Sequence, residues 1–168
     1  MASVKLAYAS SAAVTISPAS LASSSTWIAG TESTAIDNTS NLYLDYLLAG
    51  YITVGTTPTA NTEIRVYVYG SQNDTPLYPD VLDGTSSAET FTSAAIRDGS
   101  LKLAAVMGVD ATTSDRAYYF APVSVASLFG GTLPKYWGVF ITHNTAVALN
   151  ATAGNHVISY TGVYETVA

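Results

Sequence analysis

No cysteine occurs in this 168-residue chain, which excludes disulfides and thiolate metal sites and leaves the redox compartment open. Charge is nearly as scarce. Lys, Arg, Asp and Glu make up 11% of the residues, against about 25% in an ordinary soluble domain. Six residues are basic and the net charge is −6. Phosphate recognition needs clustered Lys and Arg, so no nucleic-acid partner is expected. No apolar run approaches the ~20 residues of a membrane helix, so no membrane partner is expected either. The G-x-S-x-G, P-loop and dinucleotide fingerprints do not occur, and no catalytic or cofactor-binding residue is assigned.

The shortage of lysine has a structural consequence. Exposed sheet edges are commonly guarded by lysine, and this chain has only Lys5, Lys102 and Lys135. Its edges must be protected by loops, by the chain's own N-terminal segment or by neighbouring subunits.

What is present is period-two patterning. From Asn41 to Gly70 the even positions read Leu42, Leu44, Tyr46, Leu48, Gly50, Ile52 and Val54, then Ile64, Val66 and Val68. Such alternation means two strands with one apolar face each. The turn-rich stretch Gly55–Asn61 between them predicts a long antiparallel hairpin with Leu44, Leu48, Val66 and Val68 inward. Upstream, residues 1–25 are rich in Ala and Ser and predict an extended N-terminal arm, with a short strand at Ala13–Ser17 ended by Pro18. Tyr8, Ser10 and Ser11 interrupt the apolar core that a signal peptide needs.

Residues 26–168 then form one domain. A strand is expected around Trp27 and Ile28, and Ser71–Ser87 is a long irregular connection. Glu89–Arg97 is open between a short strand and a helical turn. Ser100–Val109 is a strand with Leu101, Leu103, Ala105 and Met107 on one face. Arg116–Val125 is a strand broken at Pro122. Eight or nine strands without a long helix predict an all-β, single-domain antiparallel β-sandwich, jelly-roll topology favoured.

Each chemically suggestive residue has a plain structural alternative. His143 and His156 flank one loop, but two histidines lack the third ligand that a metal site needs, so no metal is assigned. Asp74, Asp80, Asp83, Asp110 and Asp115 sit in loops, and Asp110–Asp115 does not match a calcium-loop spacing. Tyrosine supplies 12 of the 18 aromatic residues. Tyr43, Tyr51, Tyr67 and Tyr69 share the odd face of the predicted hairpin. They are either ordinary half-buried strand positions or a stripe for a partner or a sugar. Val14 and Ile16 in the arm carry a β-like pattern suited to pairing with a neighbour's edge. These six residues are the candidate partner interface.

A second hairpin is predicted from Leu133–Thr145 (LPKYWGVFITHNT) and Gly154–Thr166 (GNHVISYTGVYET). Trp137, Val139 and Ile141 share one face, Tyr136 and Phe140 the other. This segment resembles the C-terminal end of small head-associated virion proteins of tailed bacteriophages. The resemblance implies a decoration or cement protein made in the host bacterial cytoplasm and carried on the capsid surface. It further implies the major capsid protein as partner, self-association with a trimer favoured, and no enzymatic role. No functional residue is carried over with it. The alternative is a carbohydrate-binding β-sandwich module of a phage fibre, and a less favoured third reading is an enzyme with a carboxylate site lacking a recognisable motif.

Overall fold

The computed structural model describes residues 3–167. The strands, in chain order, are β1 (Val4–Tyr8), β2 (Ala12–Ala13), β3 (Ala29–Glu32), β4 (Ile36–Asp37), β5 (Asp45–Thr53), β6 (Thr62–Ser71) and β7 (Ser87–Thr90), followed by β8 (Lys102–Val109), β9 (Ala117–Ser124), β10 (Tyr136–His143) and β11 (Val157–Val167). Two short helices, α1 (Ala94–Ser100) and α2 (Val125–Leu128), complete the set with a 3-10 turn at Ala153–Asn155. The strands form two antiparallel sheets, as the patterning predicts. Sheet one runs β1-β11-β5-β9, with β2 also on β11; sheet two runs β7-β3-β10-β6-β8, with β4 also on β10.

Neither predicted hairpin exists. β5 lies in sheet one and β6 in sheet two, and β10 and β11 are divided in the same way. The parity reading holds while the pairing does not. Leu48 and Ile52 of β5 face Ile64, Val66 and Val68 of β6 across the gap between sheets, all fully buried. Side-by-side pairing would have left one continuous apolar face open. Stacked sheets about 10 Å apart bury both faces at once. Connections of this length, Val54–Asn61 and Asn144–His156, span that gap, whereas tight hairpins use two to five residues. β10 sits mid-sheet, pairing β6 along its length, with Trp137, Val139 and Ile141 inward and Phe140 outward.

Two bulges explain where simple parity fails. Opposite Val66 and Tyr67, β8 carries the extra residue Ala104. This insertion flips the strand. Met107 and Val109 enter the inter-sheet core, whereas Leu103 emerges to solvent on the outer side and Leu101 joins an outer cluster. In β9, Ala121 and Pro122 both fall opposite Ala49, so proline occupies a bulge on an edge strand, where its missing donor is tolerated. The stretch Glu89–Arg97 resolves into the end of β7 and the start of α1, whose N-terminus Ser93 caps by accepting from the Ile96 N–H.

The N-terminal segment is not a free arm. β1 pairs with β11 over five residues, β2 pairs with the same strand, and Val14 N–H donates to Ile158 O at 2.9 Å. The strand predicted at Ala13–Ser17 shrinks to Ala12–Ala13 and an isolated bridge from Ile16 to Ser33. Trp27 takes a left-handed backbone (φ 55°), so the strand predicted around it begins two residues later, at Ala29.

Leu44 was expected inward and is 52% exposed, because it precedes β5 in the loop that Asn38 organises; Leu48 is at 0%. Leu48→Ala is therefore expected to cost about 2–5 kcal/mol in denaturant unfolding, and Leu44→Ala no more than about 0.5 kcal/mol. Equal losses would show that the two positions share an environment. Removing residues 1–25 deletes β1, β2 and the core residue Val14, and bares one side of β11. Circular dichroism of that truncation should show a chain without a cooperative thermal transition.

Candidate interaction surface

The two outer faces of the sandwich are treated differently. The outer face of sheet two is roofed by residues 72–101. Tyr67, Tyr69 and Phe140 point into a second cluster with Leu82, Phe91 and Leu101, and Phe91 meets Phe140 edge-on at 5.1 Å. A buried carboxylate pins this roof. Glu32, fully enclosed, accepts from the Tyr69 hydroxyl at 2.7 Å, the Gly84 N–H at 2.7 Å and the Asp83 N–H at 3.2 Å. Burial raises its pKa above the ordinary carboxylate value, against the pull of those three donors. Burial raises the Tyr69 pKa as well, and the Glu32 contact adds to the effect. Gly138 belongs to the same arrangement: a Cβ there would lie on the Tyr69 ring. Arg97 closes the far side of the roof, binding Thr26 O at 3.0 Å and Asp98 Oδ1 at 2.7 Å.

Sheet one has no such roof. Its register places Leu47, Ala49 and Tyr51 of β5, Val157, Ser159 and Thr161 of β11, and Tyr119 of β9 on the outer side. Tyr119 is 72% exposed and meets Tyr51 at 5.0 Å between ring centroids. The solvent face of an antiparallel sheet is normally polar. Here the outward positions of the paired strands carry two charges, Asp45 and Glu165. Asp45 is tied down, its Oδ1 accepting from the Ala126 N–H at 2.8 Å at the start of α2. At the edge of this sheet the outward side chains of β1 are Val4, Leu6 and Tyr8, exposed by 62%, 59% and 60%.

The six expected interface residues do not form one surface. Val14 is 6% exposed and lies in the inter-sheet core, and Ile16 packs against that core. Both correct the expectation of an edge-seeking arm, because β2 and the Ile16 bridge carry them under the sandwich. Tyr67 and Tyr69 are buried beneath the roof. Tyr43 packs on Tyr46 and Tyr164 at 5.3 and 5.8 Å, filling the space left by Gly162. Tyr51 alone stands on the bare face. The stripe fails because Tyr51 lies on the outer face of sheet one, Tyr67 and Tyr69 on that of sheet two, and Tyr43 packs against the inter-sheet core. Tyr119, Val4, Leu6 and Tyr8 were missed; for the last three the signal was the apolar alternation on either side of Lys5 in Val-Lys-Leu-Ala-Tyr.

The remaining polar candidates lock loops. His143 faces Leu21 O at 3.0 Å through Nε2 and Thr145 Oγ1 at 2.9 Å through Nδ1. His156 accepts from the Thr53 N–H and faces Asn150 O at 2.8 Å. Asp74 pairs with Lys135, Asp110 with Arg116 and the Tyr118 hydroxyl, and Asp115 accepts from Asn150 Nδ2. Among the described residues no three His, Asp or Glu gather in metal-binding geometry. Three surface grooves each hold a single carboxylate: Glu89, Glu165 and Asp115. None brings together the carboxylate pair of glycoside hydrolysis. Comparison with protein-family models, curated proteins and solved structures finds no match.

Burial lowers the pKa of both histidines. The unfolded chain therefore binds protons first as pH falls through about 6.5, and the stability of the neutral, hydrogen-bonded forms is lost below that point. Glu32 works in the opposite sense, because a raised pKa lets the folded state hold its proton longer as pH rises above its ordinary value. Melting temperatures taken between neutral and mildly acid pH should fall more steeply for the natural chain than for His143→Asn or His156→Gln. The variants should also start less stable at neutral pH. Parallel curves would show that neither ring is held neutral by the fold.

Proposed function

We propose that this chain is a structural virion protein that binds the outside of a tailed-phage capsid and stabilises it. The observation that carries the reading is the asymmetry of the sandwich. One outer face is roofed by the chain itself, and the other is left bare, apolar and almost without charge. Contiguous exposed apolar surface on an otherwise well-packed domain marks a site of contact with another macromolecule. The major capsid protein is the partner that the resemblance read in Leu133–Thr166 implies. The strand order supports the jelly-roll assignment: with β2, β4 and β7 set aside, consecutive strands alternate between sheets except for β6 and β8, as in two interleaved Greek keys.

In this reading the sandwich lies with sheet one against the shell. Contact comes from many modest apolar patches, so attachment depends on several copies or sites engaging together. The pairing of exposed Tyr119 with half-buried Tyr51 favours one rival, a carbohydrate-binding module, since a sugar ring can stack on an aromatic platform.

The test is co-sedimentation of the purified protein with phage heads that lack it. The natural chain should sediment with them, and Tyr119→Asp with Val157→Asp should abolish attachment while leaving the melting temperature within a few degrees. A natural chain that never sediments with heads, but binds a glycan array in a Tyr119-dependent way, would replace this reading with the carbohydrate one.

A further inference from the structure

The free edge of sheet one differs from the other three sheet edges. Four strands end the two sheets: β1, β9, β7 and β8. Three of them carry an obstacle to strand addition. β9 has Pro122 in a bulge, β8 has a bulge at Ala104, and β7 is only four residues long. β1 has no proline and no bulge, its one lysine, Lys5, alternates to the face opposite Val4, Leu6 and Tyr8, and its outer side has no strand partner among the described residues.

The hydrogen-bond phase of that edge is set. Ala9 N–H donates to Gly162 O at 2.9 Å, continuing the β1–β11 register. Alternation then turns the N–H and C=O of Lys5 and Ala7 toward β11, and those of Val4, Leu6 and Tyr8 away from it. We propose that β1 pairs antiparallel with β1 of a second copy about a two-fold axis through Leu6. In that register Leu6 meets Leu6, Val4 meets Tyr8 and Lys5 meets Ala7. All three free backbone pairs of each strand are satisfied. The apolar side chains align on the outer face, with Val4 and Tyr8 forming two aromatic–β-branched cross-strand pairs on either side of an aliphatic Leu6–Leu6 contact. The one charged residue of the strand never faces its own copy, so a chain of net charge −6 joins through an edge without like-charge contact. The result is one continuous outer face across two sandwiches. This pairing does not depend on capsid binding.

The absence of cysteine gives a clean test on the full-length chain. Residues of a hydrogen-bonded antiparallel pair have Cα atoms about 5.5 Å apart, inside the roughly 4.4–6.8 Å range of disulfides. Leu6→Cys should therefore cross-link to a dimer on mild oxidation. Val4→Cys should not, since the two copies of position 4 would stand about 14 Å apart at ~3.4 Å per residue.

Sedimentation equilibrium should show a concentration-dependent dimer for the natural chain. Leu6→Lys and Leu6→Glu should each be monomeric with unchanged melting temperature, and mixing the two should restore a heterodimer. A natural chain that stays monomeric up to near-millimolar concentration, or forms a trimer by mass, overturns the pairing. So does a Val4→Cys variant that cross-links as readily as Leu6→Cys. A trimer would mean that β1 meets a different surface of its neighbour, as the resemblance to virion proteins favours. Leu6→Lys protein that is monomeric yet still sediments with phage heads separates this inference from the proposed function.

Discussion

The constraint beneath this structure is that β5 and β6 each carry one apolar face, and neither can be satisfied by lying beside the other. Paired in one sheet, Leu48 and Ile52 would extend the same exposed surface as Val66 and Val68. Divided between two sheets, they face one another and all are sealed. Burial of each such side chain contributes about 1.5–3 kcal/mol, so the choice outweighs any local preference of the connecting loop. β10 and β11 repeat the solution. Trp137 closes on Tyr46 and Tyr160 at 5.2 and 5.7 Å and joins the two sheets at the centre. Its Nε1 finds no acceptor there, a polar cost that this aromatic packing offsets.

Once the inner faces are spent on each other, the outer faces determine what the surface offers. Sheet two uses residues 72–101 to cover Tyr67, Tyr69 and Phe140. An apolar cover alone would slide, because apolar contact has no direction. Glu32 supplies the direction: its two oxygens reach a hydroxyl on β6 and two backbone donors in the roof. A buried carboxylate is costly unless fully hydrogen-bonded, so this one fixes the roof in a single position. Sheet one received no such insertion, and its outer face stays open.

How much of this was legible depended on which question period two could answer. It gave the faces: Leu48, Val66, Val68, Trp137, Val139 and Ile141 all lie where alternation put them. It could not give the partners, because facing sheets and paired strands produce the same alternation. Loop length held that information, since Val54–Asn61 is too long for a tight turn. Parity also failed wherever one residue was inserted, and Leu103 went outward because Ala104 bulges. Leu44 was misplaced for a different reason: the apolar alternation runs on past the strand into a loop that Asn38 holds. The tyrosine stripe failed because of the pairing error, which divided Tyr51 from Tyr67 and Tyr69. The bare face was half legible: scarce charge pointed to exposed edges, but only the topology showed that β1, Lys5 included, forms one of them.

That scarcity is also what makes the edge and the bare face usable. Burying a charge in a contact costs several kcal/mol unless its partner is placed well, and the cores of interfaces are depleted of charge for that reason. In this chain the ion pairs stand on loops and on the roofed side, where Glu63 holds Arg65, Asp98 holds Arg97 and Asp74 holds Lys135. Apart from Asp45, which is tied to the Ala126 N–H, and Glu165, the outward positions of sheet one are left to Leu, Val, Ala, Ser, Thr and Tyr, which can be covered with little to desolvate. A neutral face on an acidic body has a further effect. At physiological salt, screening over about 8 Å mutes the mutual repulsion of the bodies, while the contact itself holds few charges to screen. Contact through such a face would be governed by shape and apolar area, and β1 brings to it an edge without proline or bulge.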